Sequence, residues 1–380
     1  MKRKCLAIGI ILLFVGVTIA PAIAQNTEKS QSIQRGNWLY VGGSGPGNYT
    51  NIQDAINDSS NGDTVFVYSA SSPYHEYIHV DKSITLIGED RNMTIIDGEK
   101  NIDLIRIQTS FVNLSGFTIT NCSTDGAGIT ISKSSIKLTN VDISYCIIKN
   151  NDVGIRAVNI DFLNISFCRI QNNQGSCIHL YPSFHVYITN CEITYNGKYL
   201  NNNTCIPGGI SIEGSENGGM SKDIIVSNCS ITNNIGCGIL VESSRNIEIC
   251  YNSIFDNPWV GIWVLGVSGG QVNLYNNHIF NNGIDGIYLL RCFNSVSVYE
   301  NIIETNYQRG ITLSISSGNS VNKNNFINNK YNALFSYSIL NNWNGNYWTD
   351  WLGFGPKVIK GKLGFIPWMN FDWHPAQEPN

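Results

Sequence analysis

The sequence predicts an all-β fold: a single-stranded right-handed parallel β-helix, or solenoid, with an N-terminal helical cap and an aromatic C-terminal cap. Three observations predict it. First, between Cys146 and Asn329 one small pattern recurs about every 23 residues. Its first position holds Cys146, Cys168, Cys191, Cys229, Asn252, Asn277, Asn301 and Asn324. Five residues later stand Asn151, Asn173, Asn196, Asn234, Asn257, Asn282, Asn306 and Asn329. So short a period stacks one coil per repeat and lines equivalent residues up in columns. Second, apolar residues alternate within a repeat, as in Ile210-Ser211-Ile212-Glu213 and Ile262-Trp263-Val264-Leu265, which is strand spacing and not helix spacing. Third, asparagine fills a whole column. An amide in a turn bonds the backbone and the amide of the next coil at about 4.8 Å, whereas an interior amide without partners costs about 1–3 kcal/mol. The right hand follows from the general handedness of parallel crossovers.

The elements follow in order. Lys2-Arg3-Lys4, an uncharged run from Cys5 to Ala20 and Ala22-Ile23-Ala24 read as a signal peptide over residues 1–24, cleaved after Ala24. The run is shorter than the roughly 20 residues of a bilayer span, and no later segment is apolar enough for one. Residues 25–36 form a flexible lead. The repeat contains no linker, so residues 37–340 make one β-helical domain, with room in each coil for three short strands and three turns. Thr50-x-x-Gln53 is a capping box, and Ile52, Ala55 and Ile56 give one apolar face, so a short helix covers the first coil. Residues 341–380 hold Trp343, Trp348, Trp351, Trp368 and Trp373 and read as a plug over the last coil.

The formal net charge is −4 and 14% of residues are charged. Both argue against a nucleic-acid partner recruited by a basic field. Sequons at Asn48, Asn57, Asn92, Asn113, Asn121, Asn164, Asn202 and Asn228 are compatible with a secreted or cell-surface location, although several fall in strand stacks. Cys146, Cys168, Cys191 and Cys229 share a column, where parallel strands hold their Cβ atoms near about 4.8 Å, outside the disulfide range of about 3.5–4.5 Å. They read as buried thiols. Cys177, Cys205, Cys237, Cys250 and Cys292 are free to pair, in a combination the sequence does not give.

The opening motifs Tyr49-Thr50-Asn51-Ile52-Gln53-Asp54-Ala55-Ile56, Gly62-Asp63-Thr64-Val65, Lys82-Ser83-Ile84-Thr85-Leu86-Ile87-Gly88 and Thr94-Ile95-Ile96-Asp97-Gly98, with the closing Asn344-Gly345-Asn346-Tyr347-Trp348, resemble the right-handed β-helix proteins of the pectin lyase-like superfamily. More narrowly the chain resembles their NosD-type, carbohydrate-binding and sugar-hydrolase (CASH) repeat group, over roughly residues 37–350. The resemblance implies a polysaccharide or cell-surface glycan as partner. Its NosD branch implies copper handling, yet Met93, Met220 and Met369 are scattered, and of the histidines only His179 and His185 lie close together. Neither the paired-aspartate, His and Arg-x-Lys set of polygalacturonases nor the Gln-Asp, Asp and Arg set of pectin methylesterases is present. Asp125, Asp152 and Asp285 precede Gly-Ile strands and read as solvated turn residues.

The outer face of the Gly-Ile strands carries the candidate site. With Ile155, Ile178, Ile210, Ile239, Ile262, Ile287 and Ile311 inward, the residues one and three later point out. One stripe then holds Arg156, His179, Tyr181, Glu213, Glu242, Trp263 and Tyr288. Glu213 and Glu242 fall on adjacent coils about 5 Å apart, near the separation of retaining glycoside hydrolases, and repulsion raises one of the two pKa values. They are the candidate catalytic residues. Arg156, His179, Tyr181, Trp263 and Tyr288 are the candidate substrate-binding residues, the last two by stacking on sugar. No metal ligand and no cofactor is assigned, though two neighbouring carboxylates are also a Ca²⁺ ligand set. Insertions near Asn196–Pro207 and Gly214–Met220 flank the Glu213 strand and are expected to wall a cleft. The plain alternative is two solvated glutamates and ordinary surface aromatics on a structural or adhesive envelope protein.

Overall fold

The computed structural model describes residues 36–99, 103–134, 136–198, 208–214 and 219–380. The expected signal peptide and flexible lead up to Arg35, Cys205 and most of both insertions lie outside the described residues. Three strands make each coil. In one coil they are Leu138–Ser144, Ile147–Lys149 and Val153–Val158, and the sheets to which they belong are here the first, second and third. Each strand pairs in parallel with its equivalent one coil on: Val141 with Leu163, Ile148 with Ile170, Ile155 with Ile178. The result is a parallel β-solenoid of about 13 turns.

Strand alternation sets the core. Ile155, Ile178, Ile210, Ile239, Ile262, Ile287 and Ile311 are fully buried in a single apolar column, part of a core that runs from Val41 to Ile359. The turns on either side of the second sheet are held differently. The residue just before each ladder position, such as Asn276 before Asn277 or Asp256 before Asn257, has left-handed backbone with φ near 53° or 54°. That conformation is unfavourable for a non-glycine residue by roughly 1–2 kcal/mol. The next residue compensates for it. Asn257 donates Nδ2 to the carbonyl of Ile231 at 3.1 Å and to Oδ1 of Asn282 at 3.1 Å, and its own Oδ1 accepts from the backbone and the amide of Asn234. The ladder is continuous from Asn151 to Asn329. The one long step, 38 residues from Asn196 to Asn234, does not break it, since Asn196 N–H and Nδ2 reach Asn234 Oδ1 at 3.1 and 2.9 Å.

The ladder also explains the glycine of the Gly-Ile pattern. A Cβ on Gly261 would sit 2.6 Å from the carbonyl oxygen of Gly286 and 3.0 Å from Asn282 Nδ2, so the strand closes on the amide column only where no side chain intervenes.

The first column changes chemistry partway. Cys146, Cys168, Cys191 and Cys229 are buried free thiols, each donating to the carbonyl two residues earlier. Asn252 then accepts from Cys229 N–H, and an amide ladder runs through Asn277, Asn301, Asn324 and Asn346. It ends on a carboxylate. Fully buried Asp372 accepts from the N–H and Nδ2 of Asn346, from Trp348 Nε1 and from the backbone of Gly345 and His374. Of the cysteines that the sequence leaves free to pair, Cys177, Cys250 and Cys292 are likewise buried free thiols. Burial pushes Cys177 well up and Cys292 to about 11.

At the N-terminal end the helix Ile52–Asp58 buries Ile52, Ala55 and Ile56. The expected capping box does not form: the N-cap is Asn51, whose side chain bonds the Asp54 carboxylate and caps no backbone N–H, and the first free N–H groups, of Ile52 and Gln53, are taken by Glu76 at 2.8 and 2.9 Å. Gln53 instead accepts from His79 N–H, tying the helix to the next coil. At the other end Trp343 and Trp348 enter the core and Trp351 packs against it, while Trp368 and Trp373 are exposed. A hairpin of Lys357–Leu363 and Ile366–Asp372 joins the last strands of the third and first sheets.

Two outcomes test the ladder and the thiol column. Asn257→Leu removes the acceptor for Asn234 and the donor to Ile231, so it should cost at least about 2 kcal/mol, read as a lower urea midpoint; an unchanged midpoint contradicts the ladder. Cys146, Cys168, Cys191 and Cys229 should react with iodoacetamide only after denaturation. Peptide mapping that found any two of them linked contradicts the parallel column.

Candidate functional site

The third sheet places the predicted stripe. Its register pairs Arg156 with His179, His179 with Ser211, Leu240 with Trp263, Trp263 with Tyr288, and Glu213 with Glu242. Parallel in-register pairing keeps these side chains on one outer face at the strand spacing of about 4.8 Å. The stripe has a carboxylate end and an aromatic end.

At the carboxylate end His179 Nε2 lies 3.3 Å from Glu213 Oε2, an ion-pair distance without hydrogen-bond alignment, and Ser211 donates to Glu213 Oε1. Burial pushes the Glu213 carboxyl up, but His179 and Ser211 outweigh it and hold the group below the ordinary glutamate range. Glu242 moves the other way, raised by burial and by the charge of Glu213. Tyr181 stands edge-on to His179, with ring centroids 6.3 Å apart. Arg156 lies one strand beyond His179 and is bonded to the carbonyl of Asp125.

At the aromatic end Trp263 and Tyr288 stack at 5.9 Å with an interplanar angle of 25°. Both pack over Cys237, Leu240 and Val260, a small apolar cluster outside the solenoid core. The Trp263 indole N–H has no hydrogen-bond partner among the described residues. A groove of about 390 Å³ runs along this end, lined among others by Trp259, Trp263, Asp285, Tyr288 and Arg309.

Asp285 corrects the sequence reading. It is not a solvated turn residue but the first residue of the strand Asp285–Leu290, 2% exposed, with each carboxyl oxygen 3.4 Å from Arg309 Nη1. Burial pushes its carboxyl up, and Thr312 and Arg309 offset part of that rise. Asp152, also expected to be solvated, is half-buried and paired with Lys198 at 3.3 Å, whereas Asp125 is an exposed turn residue with φ 70°. The signal for Asp285 is the register itself, since Arg309 stands 24 residues later, one coil away.

A larger hollow of about 700 Å³ lies against the C-terminal hairpin. Its walls are largely apolar, and its Lys357 is tied to Asp350 at 2.7 Å. It holds neither a carboxylate pair nor stacked rings at a strand register, so the stripe remains the candidate site.

Residues 103–270 and 200–347 match the family described as right handed beta helix region. A stretch of 114 residues is 32% identical to the probable pectinesterase 56 of Arabidopsis thaliana, covering 28% of this chain. The match spans 40% of the length of that curated relative. Among solved structures, the A-module of the mannuronan C-5 epimerase AlgE6 from Azotobacter vinelandii is similar over 78% of this chain and 88% of its own, with a TM-score of 0.62 and 16% identity. A mannuronic acid specific polysaccharide family 6 lyase from human gut microbiota is similar over 82% and 86%, with a TM-score of 0.57 and 11% identity. Likenesses at these identities show the fold.

The proton affinities of the carboxylate end are testable. In a carbon-detected NMR titration Glu213 should titrate below, and Glu242 above, the ordinary glutamate value of about 4.3. The depressed Glu213 adds stability that is complete above about pH 4.3 and is lost as pH falls through its folded value. The raised Glu242 adds stability only below that range and loses it as pH rises through its folded value. Glu213→Gln should lower the Glu242 midpoint partway, leaving the part due to burial. Coincident titrations of the two groups would contradict the assignment.

Proposed function

This chain belongs to the right-handed β-helix family, and we propose that it engages a polysaccharide along the outer face of its third sheet, by binding and cleavage. One observation carries the reading: the parallel register puts the stacked Trp263 and Tyr288, which line a groove, on the same outer face as Glu213 and Glu242, whose column lies two residues further along the strands. Stacked aromatic faces bind the apolar faces of sugar rings. A linear array at strand spacing suits a linear polymer. Support comes also from the relatives, whose names specify pectin, mannuronan and mannuronic acid.

Chemically, the carboxylate pair is divided as acid-base cleavage requires. Glu242 holds its proton more readily and serves as the proton donor to the leaving oxygen, and Glu213, kept ionised by His179, serves as the base or nucleophile. Adjacent-strand spacing of about 4.8 Å lies near the roughly 5 Å of retaining enzymes. His179 and Tyr181 flank the bond cleaved, and Arg156 binds the chain one ring further on. An exported, extracellular protein fits this partner, and the basic and apolar pattern of residues 1–24 supports it.

Binding and turnover separate by mutation. Trp263→Ala should weaken oligosaccharide binding about tenfold, measured by calorimetry. Glu242→Gln should spare binding and abolish release of reducing ends. If neither change alters binding or turnover of any saccharide the wild type recognises, the site is misplaced. A wild type that recognises none on a glycan array points to the structural, adhesive role.

A further inference from the structure

The charge pattern of the groove narrows the class of saccharide, on the premise of the polysaccharide reading above. Beside the stacked rings stands one cation, Arg309, and it is set against Asp285, whose two carboxyl oxygens each lie 3.4 Å from its Nη1. On the two strands before Trp263 the outward carboxyl groups are Glu242, the proposed proton donor, and Glu213, which His179 faces. Lys362 lies at the far end of the groove. The register from Leu290 through Ser314 and Ser336 to Lys362 puts it three strands, or about 14 Å, beyond the Tyr288 strand. A uronate stacked on Trp263 and Tyr288 would therefore meet a guanidinium already paired with a carboxylate, while Lys362, the groove cation outside that pair, stands three strands off. A cation so paired offers little net attraction to an anion.

The same groups suit hydroxyls. A carboxylate has about four acceptor sites, more than Arg309 and Thr312 take from Asp285, a 2% exposed side chain that lines the groove. Arg309 retains donors on its other nitrogens, and both residues line the groove. Two adjacent hydroxyls of one ring, the first donating to Asp285 and the second accepting from Arg309, match such a pair in charge and spacing. Stacked rings floor the site, and the indole N–H of Trp263 is buried beneath them without a partner among the described residues.

We propose that this groove takes a neutral sugar ring stacked on Trp263 and Tyr288, with two vicinal hydroxyls held by Asp285 and Arg309, so that the polysaccharide engaged is neutral and not a polyuronate. This separates the chain from relatives named for pectin and mannuronan.

The test titrates the protein with neutral oligosaccharides (gluco-, manno- and galacto-hexaoses) and with oligomannuronate and oligogalacturonate of equal length. Each runs at low and physiological salt, with and without Ca²⁺. A neutral oligosaccharide should bind with little dependence on salt, and at least tenfold more tightly than either uronate. Asp285→Asn and Trp263→Ala should each weaken it tenfold or more. Wild-type protein that binds a uronate as tightly, in a mode that Trp263→Ala abolishes, overturns the neutral-sugar assignment and leaves the polysaccharide reading standing. Binding of a neutral sugar that folded Asp285→Asn retains in full overturns the role of Asp285. Should Asp285→Asn fail to fold, the wild-type preference between the two charge classes still decides. Binding of neither class overturns both readings.

Discussion

Hydrogen bonds inside two turns hold every outward column of this solenoid in register. The residue before each ladder position is left-handed, and an amide that points inward from the next position ties the bend to the coils above and below. Because side chains alternate at a period of two, a slip of one residue anywhere in the stack would turn each outward residue inward. Fixing the turns therefore fixes the surface. The unbroken ladder across the 38-residue step is the clearest case, since it carries the register past an insertion and lets Glu213 meet Glu242 across adjacent strands.

The site inherits its chemistry from that rigidity. Glu213 and Glu242 share a column, so each feels the other's charge; His179, one strand away, breaks the symmetry by siding with Glu213. Likewise Asp285 remains buried because strand pairing sets Arg309 beside it. A free loop would let such groups relax into water. Here the backbone denies them that, and perturbed proton affinity is the expected result.

Most of the fold is legible in the chain because its determinants are periodic. Eight asparagines at fixed offset, and isoleucines alternating with polar residues, announce columns before any coordinate is known. Features that occur once or twice are not legible. A third amide column, in which Asn319 bonds Asn341, and a hydroxyl column from Ser316 to Ser338 are too short to stand out from ordinary turn composition. Asp372 ends a ladder of neutral amides, and nothing local marks it as their acceptor. The capping-box motif at Thr50 and Gln53 is misleading because Glu76, brought close only by the coil, reaches the helix N–H groups first. In the site, outward positions such as His179, Trp263 and Tyr288 follow from alternation, while Asp285 requires knowing that its partner lies one coil later.

If this register builds a lateral saccharide groove over Trp263 and Tyr288, a crystal structure of the protein soaked with an oligosaccharide that it binds tests it most directly. The expected result is a sugar ring stacked on those two residues, with the chain running across the strands of the third sheet toward Glu213 and Glu242. Density for the saccharide on the first or second sheet, or in the hollow beside the C-terminal hairpin, with the groove empty, would contradict it.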